Sequence, residues 1–176
     1  MKSLIISPHP DDEVLGAGGT LFKRKSSKKN NSLYWIIVTK LQSNTPKIKV
    51  LRRKNEIKKI SKLFGFKKVF QLNFNTTELD SSSKKRLIKD FSDIFKKIKP
   101  YELFVPHFSD VHSDHKIVSE VISTCTKNFR FPFIKKILAY EVLSETDYNL
   151  NRKKILFPNY YEDISKFLTK KKNAMR

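Results

Sequence analysis

The chain is short of four things, and each shortage excludes something. It has one cysteine, Cys125, in 176 residues, so an internal disulfide or a multi-cysteine metal site is ruled out and a reducing cytoplasm is the expected compartment. Long apolar runs are missing, the longest being Leu33 to Val38, well below the roughly 20 residues that span a membrane. Met1-Lys2-Ser3 is followed by only three apolar residues before Ser7, which gives no core for a secretory signal. Acid is scarce, with 17 Asp and Glu against 37 Lys and Arg and a net charge of +20. That balance points to nucleic acid, an anionic membrane face or a phosphorylated substrate as partners. The cations are 30 Lys and 7 Arg, which reads mostly as a solvated lysine coat, because base reading and phosphate forking favour Arg. Glycine is scarce too, and three of the four (Gly16, Gly18, Gly19) fall in one short stretch.

What is present suits one folded domain. A chain of this length buries roughly 70% of its unfolded surface, and 39% hydrophobic with 31% charged residues is a globular balance. Apolar runs at Ser3–Ser7, Leu33–Thr39, Lys67–Leu72, Glu102–Pro106 and Ile134–Val142 read as strands. Between them lie stretches of helical period, Val14–Lys25, Lys49–Phe64, Ser83–Ile98 and Asp114–Thr126. Alternation of this kind predicts an α/β fold, a mostly parallel sheet covered by helices on both faces. Ser83 is placed to cap the third helix and Gly65 to close the second. After Asn149 the pattern weakens, and a last helix is expected from about Asp163, with Lys170-Lys171-Lys172 as its solvated end.

Two constellations carry chemistry. The first is Ser7-Pro8-His9-Pro10-Asp11-Asp12-Glu13, directly after the first strand. Helix capping accounts for one or two of these acids, but not for three beside a histidine whose backbone is fixed by two prolines. The second is Asp110-Val111-His112-Ser113-Asp114-His115, after the fourth strand. All four histidines of the chain, His9, His107, His112 and His115, lie in or beside these two loops. In a doubly wound sheet the commonest strand order sets the first and fourth strands side by side, with a crevice at their carboxyl ends. Both loops empty into that crevice, where His9, Asp12 and His115 form the two-His, one-carboxylate set of catalytic zinc with a position left for water. Zinc held this way lowers the pKa of its water to about 7 and polarises a carbonyl, as amide hydrolysis requires.

These residues resemble the LmbE-like, or PIG-L-like, zinc deacetylase family, with its His-Pro-Asp-Asp-Glu loop and later His-x-Asp-His. The resemblance covers nearly the whole chain and includes Gly18-Gly19-Thr20, Arg53-x-x-Glu56, Phe64-Gly65 and Lys99-Pro100. Phe129-Arg130-Phe131-Pro132, Tyr140-Glu141, Ser144-Glu145-Thr146-Asp147 and Phe157-Pro158-Asn159 look like the members linked to surface-polysaccharide synthesis. It implies a three-layer Rossmann-like fold and removal of the N-acetyl group from a GlcNAc-type glycoconjugate. By position, His9, Asp12 and His115 would hold Zn2+, or another divalent metal such as Fe2+. Asp11 would be the general base, and His112 the acid that steadies the oxyanion and protonates the leaving amine, with Asp114 orienting its ring. Arg53 would contact substrate, although pairing with Glu56 explains its spacing equally well, and Glu13 would brace the loop's own backbone.

Two departures from the pattern stand out. Thr39-Lys40-Leu41-Gln42 replaces a region where members often carry a glycine, and members usually continue well beyond the last residue here. A single domain over 1–176, shortened at its C-terminus, is therefore the expectation, with a homo-oligomer left open. The basic surface suits a sugar on an anionic carrier, at the inner membrane face. Two other readings are a non-catalytic carbohydrate-binding member of the same fold and, last in rank, a basic nucleic-acid-binding module, for which no recognised motif speaks.

Overall fold

The computed structural model describes residues 1–27, 31–148 and 156–176. Its strands are β1 (Lys2–Ser7), β2 (Ser32–Lys40), β3 (Lys68–Asn75), β4 (Glu102–Pro106) and β5 (Lys136–Tyr140). The helices are α1 (Asp12–Ser26), α2 (Lys47–Phe64), α3 (Lys84–Ile98), α4 (Ser113–Cys125), a four-residue α5 (Leu143–Thr146) and α6 (Leu168–Ala174), the last entered through a 3-10 turn at Ser165–Phe167. The sheet is wholly parallel in the order β3-β2-β1-β4-β5. The chain thus winds outward from β1 in both directions, and β1 and β4 are neighbours, as in the commonest order of a doubly wound sheet. None of the described helices is long and apolar enough to cross a membrane.

Both faces of the sheet are covered, which is why the strand sequences read as continuous apolar runs rather than alternating ones. Leu4, Ile6, Ile36 and Val38 pack against Leu87, Phe91 and Phe95 of α3 and Val118 and Ile122 of α4. Ile5, Trp35 and Ile37, one residue out of phase, pack on the other face with Val14, Leu21 and Phe22 of α1 and Phe64 of α2. Ser83 caps α3 by accepting from the Arg86 N–H. Gly65 ends α2 in the left-handed region at φ 70°, and its N–H returns to the carbonyls of Lys62 and Ser61.

Two of the three glycines of α1 are there for close packing. A Cβ on Gly16 would overlap the ring of the buried Tyr140, and one on Gly19 would overlap Ile164, whereas one on Gly18 would make only ordinary contacts, the nearest with Lys171 Cγ at 3.4 Å. Helix propensity alone favours alanine over glycine by about 0.8–1.0 kcal/mol, while forcing a methyl into a packed site costs about 1–3 kcal/mol. Gly18→Ala is therefore expected to raise the melting temperature slightly and Gly16→Ala to lower it by several degrees, a difference in sign that thermal denaturation reads directly.

The C-terminal residues strap across α1. Lys171 is half-buried and donates to the Leu15 carbonyl at 2.7 Å, so the solvated end expected for the lysine run holds for its neighbours and not for this residue. Arg24 of α1 bridges the buried Glu102 of β4 (3.1 Å) and Glu162 of the strap (3.0 Å). Burial would raise the Glu162 pKa, but hydrogen bonds from Lys23, Tyr160 and Arg24 outweigh it and bring it down to about 2. A carboxylate depressed in this way stabilises the fold above its unfolded value and loses that contribution as pH falls through the folded value. Glu162→Gln should consequently lower the melting temperature at neutral pH, and the gap from the parent should close between about pH 4.5 and 2.

Candidate metal centre at the β1 and β4 carboxyl ends

The site is assembled from the loops that follow β1 and β4. Pro8 is tied to the end of β2, its carbonyl accepting from the Thr39 N–H (3.0 Å) and hydroxyl (2.8 Å). Asp12 opens α1 and turns its carboxylate back onto the His9 N–H at 2.8 Å. Asp11 is the residue before α1, yet its side chain makes no capping hydrogen bond. Capping therefore does not explain this carboxylate, which lies half-exposed at the mouth of the crevice. Partial loss of hydration, then the charge of Asp12, raise its pKa, against the pull of Arg53 and His9. Glu13 is buried and accepts from Ser7 Oγ (3.3 Å), which itself accepts from Trp35 Nε1 (2.9 Å), so it braces the turn.

The chain brings together the three expected metal donors. His9 Nδ1 is 3.3 Å from His115 Nε2, that atom is 3.4 Å from Asp12 Oδ2, and His9 Nδ1 is 3.6 Å from Asp12 Oδ2. Ligands about 2.0–2.1 Å from a tetrahedral centre lie about 3.3–3.4 Å apart, so this triangle fits one face of a zinc-like coordination shell. The electrostatics agree with that fit. Burial would lower the His115 pKa, yet the carboxylates of Asp110 and Asp12 carry it up to about 10, so these carboxylates favour positive charge at this point, as a divalent cation would supply.

Each histidine donor is oriented from behind by a carboxylate, an arrangement that fixes ring tautomer and rotation. Asp110 Oδ2 holds His115 Nδ1 at 2.8 Å, and its other oxygen accepts from Thr146 Oγ1 at 2.6 Å. Asp114 Oδ2 holds His9 Nε2 at 2.9 Å and is itself fixed by the Thr77 N–H (2.8 Å), with the Leu79 N–H on its second oxygen (3.3 Å). This corrects the expectation for Asp114, whose carboxylate orients His9 rather than the His112 ring. Only its backbone N–H reaches His112, at Nδ1 (3.1 Å), where His112 caps α4. The neutral His112 ring then carries its proton on Nε2. Burial first, and His9 next, lower its pKa. His107, although buried, bonds with Ser109 and stands outside the donor set.

Next to the donors lies a cavity of about 470 Å³, lined among others by His9, Asp11, His112, Lys40, Arg53 and Lys54. Arg53 Nη1 donates to the Pro10 carbonyl at 2.7 Å and sits 3.9 Å from Asp11 Oδ2, while its Nε is 3.5 Å from Glu56. The Glu56 pairing and the position at the cavity thus coexist, and Arg53 also holds the histidine loop. Asp110, Thr146 and the backbone of 77–79 were not assigned roles from sequence. Asp110 stood within the motif, but its partner is five residues along the chain and Thr146 is thirty-six away. Asp110→Asn is expected to weaken metal binding about 10–100-fold while the protein stays folded, as carboxylates behind metal-bound histidines do. Metal titration followed by circular dichroism and metal analysis checks both parts.

A wholly parallel α/β fold with a His, Asp, His cluster at its topological switch point defines the class of protein. Within that class, the sequence model of the PIG-L family, described as GlcNAc-PI de-N-acetylase, matches residues 4–126, and the chain belongs to that family. It is similar to the diacetylchitobiose deacetylase of Thermococcus kodakarensis, at 28% identity over 190 aligned residues, covering 99% of this chain and 68% of the relative. The solved N,N'-diacetylchitobiose deacetylase from Pyrococcus horikoshii, complexed with its inhibitor MPG, superposes with a TM-score of 0.74 at 26% identity, covering 99% of this chain and 68% of that one. GalB from Pseudomonas putida, a 4-carboxy-2-hydroxymuconate hydratase, has a TM-score of 0.73 at 16% identity, covering 100% and 78%. The last shares the fold alone, so the architecture by itself does not choose the reaction.

Proposed function

We propose that residues 1–176 act as one deacetylase domain that hydrolyses the N-acetyl group of a GlcNAc-type glycoconjugate. The observation that carries this reading is the near-equilateral triangle of His9, Asp12 and His115 donor atoms beside a cavity that also receives Asp11 and His112. His9, Asp12 and His115 would hold a divalent cation, Zn2+ or Fe2+, which when bound would supply Lewis acidity toward the amide carbonyl. Asp11, free of capping duty, takes a proton from the attacking water. As the C–N bond breaks, the same carboxyl returns the proton to the departing amine, and acetate and a free amino sugar leave. His112 contributes Nε2–H to the oxygen on which negative charge develops. Its Nδ1 is occupied by the Asp114 N–H, which favours the oxyanion role over that of proton donor. Asp114 and Asp110 keep the two histidine donors in register.

The lining of the cavity supports a substrate with an anionic carrier, since Lys40, Arg53 and Lys54 face it and Asp11 is its one carboxylate among the described lining residues. A place in surface-polysaccharide or glycolipid synthesis rests on the sequence resemblance. The test is to incubate metal-loaded protein with neutral and phosphate-linked N-acetylglucosamine compounds and to measure acetate and free amine together. Equal release of both, faster from the phosphate-linked compounds, is the expected result. Binding of these sugars without turnover would instead favour the non-catalytic reading.

A further inference from the structure

Between Lys40 and Asn55 the chain carries six cations, Lys40, Lys47, Lys49, Arg52, Arg53 and Lys54, and no acid. The segment leaves β2, turns at the carboxyl end of the sheet and forms the first half of α2. Two of its apolar residues, Ile48 and Leu51, are 72% and 54% exposed. Three residues apart on a helix, they are neighbours on one face, and with Arg52, Asn55, Glu56 and Lys59 they line a shallow groove on the outside of α2, where Glu56 pairs with Arg52 at 3.1 Å and leaves the cations in excess. The other face of this helix supplies Val50, Arg53, Lys54 and Ile57 to the cavity beside the metal donors. Phe64 is the single buried residue of α2, so the helix stands as a thin wall between the cavity and this outer surface.

Charge decides what could cover that surface. A second copy of the chain, set there symmetrically, would bring the same cations against one another. Nucleic acid would satisfy the lysines but leave Ile48 and Leu51 without a role. An anionic bilayer answers both, because lysines and arginines sit on its phosphates while apolar side chains enter the boundary between headgroups and acyl chains. We propose that residues 40–55 form a membrane-docking surface that seats Ile48 and Leu51 in an anionic lipid layer and so holds the cavity mouth beside the bilayer. The surface stands independently of the reaction, since it concerns where the mouth is held.

Flotation of the metal-loaded protein with two kinds of vesicle tests this, phosphatidylcholine alone and phosphatidylcholine mixed with phosphatidylglycerol. Binding is expected to the mixed vesicles only and should fall steeply with added salt. Lys47→Gln and Lys49→Gln should each weaken it about fivefold. Ile48→Ser with Leu51→Ser should weaken it at least about tenfold, with the melting temperature and the hydrolysis of a soluble N-acetyl sugar unchanged. Equal binding to both vesicles overturns the proposal. So does absence of vesicle binding, whether or not the same variants then weaken binding to duplex DNA or a dimer seen by sedimentation. Vesicle binding by a protein that hydrolyses nothing would keep the docking surface and sink the deacetylase reading, and hydrolysis without vesicle binding would do the reverse.

Discussion

Asp11→Asn is expected to cut kcat by about 10²–10⁴-fold, the span of a positioned general base, while metal content and fold stay as they are. The expectation follows from what Asp11 does and does not touch. Its side chain makes no cap hydrogen bond, its backbone carbonyl accepts from Val14 and Leu15, and only the 3.9 Å ion pair with the partly exposed Arg53 weakens when one carboxylate oxygen becomes an amide. The loop also keeps its tie from Arg53 to the Pro10 carbonyl, and the donor triangle does not include Asp11. The loss should therefore appear in kcat, with a smaller change in KM, and metal analysis of the variant should match the parent. Full activity in a folded, metal-loaded Asp11→Asn protein would remove Asp11 from the mechanism.

Asp12→Asn should act on the cation instead. The substitution keeps an oxygen to accept from the His9 N–H, so the loop retains its shape, but removes the anionic donor from the triangle. Because losing a carboxylate behind a metal-bound histidine already costs about 10–100-fold in affinity, loss of a donor should cost more than about a hundredfold. Stability offers a second readout. A cation present at about a thousand times its Kd stabilises the folded state by about 4 kcal/mol, which for a chain of this size raises the melting temperature by roughly 10 °C. The parent should show that rise on addition of Zn2+ and lose it with a chelator, and Asp12→Asn should show little of either. A parent protein indifferent to both would mean that the triangle holds no metal.

Much of the fold could be read from the sequence, because a sheet buried on both faces writes itself as apolar runs. The Glu102–Pro106 strand has the expected limits, and β1 and β4 are the neighbours that the commonest doubly wound order sets side by side. Boundaries moved where apolar content and strand pairing part company. β3 runs on through Asn73 and Asn75 because its backbone still pairs with β2 past a register shift. Ile134, expected to begin the fifth strand, instead packs in the core ahead of β5. The clustering of His9, Asp12 and His115 was legible since these residues sit in two compact motifs at predictable ends of strands. What lay behind it was not. Asp114 turning to His9, Thr146 to Asp110 and Lys171 to Leu15 are contacts between elements far apart in sequence, and no local spacing encodes them.

The donor atoms of His9 and His115 come from positions 106 residues apart and meet only once β1 and β4 have paired. Closing so long a loop is slow, and contacts of that span are characteristically late in folding. A cation gripped there would add stabilisation that an early, half-formed chain cannot feel. Interactions absent from the transition state slow unfolding without hastening folding. Metal would then make the finished protein long-lived rather than quick to form, and the atoms proposed to hold it would also set its lifetime.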